Sequence, residues 1–74
     1  MKIWISIEQN KKRTSFAAEW DHWPSAAEIR QAAINRLVKD NKPSGWYWIG
    51  VMVDGDSYNA EPLKYIKREK KFDF

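Results

Sequence analysis

Few side chains in this 74-residue sequence have the type and spacing that catalysis needs. His22 is the single histidine, and Asp21 precedes it, as an orienting carboxylate precedes a general base. Nothing nearby supplies a nucleophile or a second base, so the pair reads as a polar stretch of loop. Asp54, Asp56, Asn59 and Glu61 space oxygen donors somewhat like a calcium loop. Gly55 falls too early for that loop and no helices flank it, so the segment reads as a turn. Gly45, Gly50 and Gly55 stand alone, and no glycine-rich cradle for phosphate forms. There is no cysteine, hence no disulfide and no thiolate metal site. The expectation is a non-catalytic chain without metal or cofactor.

The elements that would position these groups follow from periodicity. In "KIWISIE", Ile3, Ile5 and Ile7 alternate with Lys2, Trp4, Ser6 and Glu8, which predicts a strand with one buried face. "QNKKRT" reads as a hairpin loop, and "TSFAAEW" as a second strand with Thr14, Phe16, Ala18 and Trp20 on one side. Ser25 and Glu28 have capping-box spacing, and good helix formers continue from Ala26 to about Asp40. Ala26, Ile29, Ala33, Ile34, Leu37 and Val38 would form the helix's apolar face, with Arg30 inside that sector and its guanidinium reaching the edge. Asn41 suits a left-handed cap, and Pro43 cannot continue the helix. A third strand spans "WYWIGVMV". A fourth, at an edge, would begin after Pro62. The order β-β-α-β-β predicts a two-layer α+β domain over residues 1–67, with an antiparallel or mixed sheet and one helix on one face. Residues 68–74 read as a basic C-terminal tail.

The third strand raises a packing problem. Tyr47, Ile49, Val51 and Val53 share one face; Trp46, Trp48, Gly50 and Met52 share the other. One helix covers one face of a sheet. The isoleucines of the first strand and the Tyr47 set have the bulk to be the covered face. Trp4, Trp46, Trp48 and Met52 then point to the uncovered face, with Ser6, Ala17 and Glu19 beside them. An aromatic patch on an open sheet suits a protein partner, a homodimer, or stacking of unpaired bases. Phe72 and Phe74 of the tail could also fold back over it. A one-residue error in register would exchange the two faces.

A chain this short buries only about 60% of its unfolded surface, so eleven aromatic residues also serve a thin core. The net charge is +3, gathered in Lys11, Lys12 and Arg13 and in Lys64, Lys67, Arg68, Lys70 and Lys71. Such clusters suit an anionic partner. No apolar run approaches the roughly 20 residues of a membrane span, and the N-terminus lacks a signal peptide's apolar region. The chain therefore reads as soluble, cytoplasmic and complete from Met1, without a membrane partner.

The expected function is macromolecule binding, with Trp4, Trp46, Trp48 and Met52 as anchors and Lys11, Lys12, Arg13, Lys67, Arg68, Lys70 and Lys71 as basic surroundings. The strand-strand-helix-strand order, with "SAAEIRQAAINRL" after the hairpin, resembles small phage inhibitors of host RNA polymerase and some anti-CRISPR proteins. That resemblance of element order and size implies an inhibitor or modulator that binds a host protein or protein–nucleic-acid complex. The alternative is a small nucleic-acid-binding protein using the same aromatic face and basic clusters.

Overall fold

The computed structural model describes residues 1–53 and 56–67, and of residues 53 and 56–60 the backbone only. Strands β1 (Lys2–Gln9) and β2 (Lys12–Glu19) precede helix α1 (Ala26–Lys39), and β3 (Gly45–Val53) and β4 (Asp56–Tyr65) follow it. The expected α+β order is present. The sheet runs β2-β1-β3-β4, with every neighbouring pair antiparallel. The tail 68–74, with Arg68, Lys70, Lys71, Phe72 and Phe74, lies outside the described residues, as do Asp54 and Gly55.

Asn10 and Lys11 alone make the first turn. Their φ angles of 51° and 65° give the two left-handed positions whose twist matches flanking strands. The six-residue loop expected from "QNKKRT" is therefore corrected to two residues. Lys12 and Arg13 belong to β2, opposite Gln9 and Glu8. Their charge is tolerated because β2 is an edge strand.

Ser25 caps α1 reciprocally: its Oγ accepts from the Glu28 N–H at 3.2 Å, and Glu28 Oε1 accepts from the Ser25 N–H at 3.1 Å. At the other end Asn41 takes φ 52°. The Asn41 N–H bonds the Val38 carbonyl and the Lys42 N–H bonds that of Leu37, which closes a Schellman motif. The buried stripe of α1 is narrower than its sequence implies. Ala33 and Leu37 are buried and Ile29, Ala32 and Ile34 pack partly, whereas Ala26 and Val38 are exposed. One helix on a single sheet buries only the stripe that faces it. Arg30 is exposed, and its Nη2 reaches Glu61 Oε2 of β4 at 3.4 Å.

The fourth strand begins at Asp56 rather than after Pro62. Pro62 opposes Trp48, and an edge strand accommodates a residue without an N–H. The β3–β4 register slips by one between Ile49 and Val51, so two β4 residues oppose Gly50. Ile3, Ile5, Ile7, Tyr47, Ile49, Leu63 and Tyr65 form the covered face of the sheet, against Ala33 and Leu37. The Tyr47 hydroxyl donates to the Pro43 carbonyl at 2.7 Å, and its ring meets Tyr65 edge-on at 6.2 Å. Burial raises the Tyr47 pKa above its ordinary range, and a hydrogen bond with Gln9 partly opposes that rise.

Candidate functional site

Alternation along β1 and β3 fixes the second face of the sheet. Ile3, Ile5, Ile7, Tyr47 and Ile49 point to α1, so their neighbours point away. Trp4 and Met52 are each 45% exposed, Trp48 is 53% and Trp46 is 62%. Register brings them together. Trp4 opposes Met52 across the β1–β3 seam, Glu8 opposes Trp48, and Lys64 opposes Trp46. Between the Trp4 and Trp48 rows runs a row of small residues, Ser15, Ser6 and Gly50. Gly50 leaves room for the Ser6 hydroxyl: a Cβ on it would approach Ser6 Oγ to 2.6 Å, and the hydroxyl would have to rotate away.

The charges on this face are mixed. Among the described residues Lys2, Arg13 and Lys64 face Glu8 and Glu19, a balance of three against two. Arg13 Nη2 lies 3.6 Å from Glu8 Oε1, Lys2 opposes Glu19, and the Lys2 ammonium sits 5.4 Å from the Trp4 ring centroid. An indole bordered by both signs of charge suits an amphipathic protein surface. A phosphate backbone would meet Glu8 directly beside Trp48.

The basic cluster of the first hairpin does not assemble on the aromatic face. Lys11 occupies the turn, Lys12 points to the helix side, and only Arg13 joins the open face. Period two sends sequence neighbours to opposite sides. Lys12 and Lys42 instead line a groove of about 240 Å³ with Asp40 and Tyr47, at the C-terminal end of α1. Lys67 lies at the same end of the sheet, where its N–H donates to Ser44 Oγ at 2.7 Å. Arg68, Lys70 and Lys71 lie outside the described residues.

A second groove of about 240 Å³ runs between the N-terminal end of α1 and β3–β4, lined by Trp23, Ile29, Arg30, Val51 and Glu61. Sequence reasoning passes over Trp23 and Lys42. Their one signal is position, just outside the two helix caps, where side chains border the helix–sheet junction.

Both ring nitrogens of His22 are engaged by carboxylates. Its Nδ1 lies 2.7 Å from Asp21 Oδ1 and its Nε2 2.9 Å from Glu28 Oε2. Carboxylate oxygens only accept, so the ring satisfies both as an imidazolium. Its pKa is raised, first by the Asp21 hydrogen bond and then by Glu28. The Glu28 pKa is lowered, first by the Ser25 backbone N–H and then by His22. This trio ties the loop to the helix start. No group of three or more His, Cys, Asp or Glu among the described residues is placed to hold a metal ion. No described helix is long and apolar enough to cross a membrane.

No family model matches the chain, and neither a curated protein nor a solved structure is significantly similar to it.

Proposed function

We propose that this chain is a non-catalytic binding protein whose working surface is the open face of the sheet, closed over the surface of a protein partner. The carrying observation is the set of Trp4, Trp46, Trp48 and Met52, about half exposed together on one side of two adjacent strands. Exposed apolar patches of this kind mark interaction surfaces, and Trp, Met and Arg are enriched in them. The mixed charges around the rings favour a protein surface over a polyanion. Acting by occlusion, such a chain suits the role of a small inhibitor or modulator of the phage or mobile-element kind, covering part of a host protein complex. Lys11, Lys12, Arg13 and Lys67 then speed encounter with an acidic region of that complex.

The alternative partner is single-stranded nucleic acid stacked on the same indoles. Titration of the folded chain with DNA and RNA oligonucleotides at two salt concentrations, read by tryptophan fluorescence, separates the two. No quenching at low salt supports the protein reading. Saturable quenching that weakens steeply with salt overturns it in favour of nucleic acid. Retention of a protein from host lysate by the wild-type chain, but not by Trp48→Ala, would identify the partner.

A further inference from the structure

The open face fits a copy of itself. Its residues lie in rows across the strands: Glu19–Lys2, then Ala17–Trp4–Met52, then Ser15–Ser6–Gly50, then Arg13–Glu8–Trp48. Large side chains in one central row stand beside small ones in the next. Consider a two-fold axis lying across the strands, between the Trp4 row and the Ser6 row. It places each copy's Trp4 over Ser6 of the other and Met52 over Gly50. The same operation places Lys2 over Glu8 and Glu19 over Arg13. Trp4 and Met52 each meet a small residue, and each of these charges meets its opposite, twice by symmetry.

We propose that two copies of this chain pair face to face through the open sheet, in that register. The inference rests on reading the open face as a protein-binding surface, and it names one protein that fits. In this register Trp4 and Met52 are the large apolar side chains that meet the other copy across the four rows, while Trp48 and Trp46 lie toward one end of β3. Sheets stacked this way lie about 10 Å apart with interdigitated side chains, the spacing that ring-over-serine packing requires. A dimer of this kind masks both faces, and a further protein partner gains access by competing with the second copy.

Sedimentation equilibrium on the full chain, from micromolar to submillimolar, tests this. The expected mass rises from the 8.8 kDa of one chain to twice that value. Lys2→Glu sets like charges over Glu8 and is expected to weaken association at least ~10-fold. Lys2→Glu combined with Glu8→Lys restores it, although within each chain the exchange sets like charges opposite Glu19 and opposite Arg13. Circular dichroism confirms that each variant folds. A single-chain mass at every concentration overturns the dimer, as does a double variant that stays dissociated. Iodide quenching of Trp48, by difference from Trp48→Phe, separates the two levels of failure. A monomer with Trp48 open to iodide loses the dimer and keeps the binding face; a monomer with Trp48 shielded loses both.

Discussion

Tyr47 and Trp48 are adjacent in β3 and point to opposite sides of the sheet, so truncating each to alanine tests the facing directly. Tyr47 is 3% exposed, packs edge-on against Tyr65 and donates to the Pro43 carbonyl. Removing a buried aromatic ring costs about 4 kcal/mol, and the lost hydrogen bond adds about 1 kcal/mol. A chain of this length has only about 4–11 kcal/mol of stability in total, so Tyr47→Ala is expected to lose roughly half of it or more. Trp48 is 53% exposed. A tryptophan carries up to about 250 Å², so roughly 120 Å² is covered, and alanine forfeits most of that, about 2 kcal/mol. Urea unfolding followed by far-ultraviolet circular dichroism avoids the change in fluorophore. With a slope near 1 kcal/mol per molar, a gap of about 3 kcal/mol separates the two midpoints by about 3 M. Trp48→Ala should also weaken partner binding by more than about 1 kcal/mol while staying folded. Equal destabilisation by the two variants, or a Trp48→Ala chain that unfolds first, would refute the assignment of faces.

Other expectations follow from the turns and caps. Lys11 holds a left-handed conformation that glycine adopts freely, so Lys11→Gly should stabilise the fold by about 1 kcal/mol, visible as a higher thermal midpoint. Ser25→Ala removes one half of the capping box and should lower stability by about 1 kcal/mol in the same assay. The exposed His22 ring lies between Asp21 and Glu28. Its raised folded pKa contributes stability that is complete below its ordinary 6.5 and is lost as pH rises through the folded value. Glu28, lowered from 4.5, contributes above that value and loses its contribution as pH falls through the folded one. Thermal midpoints should therefore fall on the alkaline side of pH 6.5, and His22→Gln should flatten that fall. Arg30→Ala breaks an exposed pair with Glu61 and should change stability by less than about 1 kcal/mol in urea titration.

Much of the fold is legible in the sequence because its periods are clean. Ile3, Ile5 and Ile7 mark one face of β1, and Tyr47 and Ile49 mark the same face of β3, so the placing of Trp4, Trp46, Trp48 and Met52 follows from alternation. Ser25 with Glu28, and Asn41 before Pro43, mark the helix ends by the hydrogen bonds their side chains and backbone can make. The misplaced boundaries have physical causes. A lysine seldom occupies a left-handed turn position, so "NK" carries little turn signal, and Lys12 and Arg13 read as loop. Pro62 suggests a strand start only when its edge position is unknown. Val38 fits an amphipathic pattern, yet the sheet beneath α1 does not reach it. The division of Lys12 from Arg13 between two faces depends on β2 beginning immediately after a two-residue turn, and this keeps the basic cluster from forming a single patch beside the indoles.

The strand order has a consequence for how the chain is made. Each half of the sheet is a local hairpin, β1 with β2 and β3 with β4, and one seam, from Trp4 opposite Met52 to Glu8 opposite Trp48, joins them. During synthesis the first hairpin and α1 leave the ribosome while the inner edge of β1 still has nothing to pair with. Ile3, Ile5 and Ile7 wait on an open strand until β3 emerges. Closing that seam is the non-local step, the kind of pairing that slows folding, and an unpaired strand edge before it is the kind of surface through which nascent chains pair with one another wrongly.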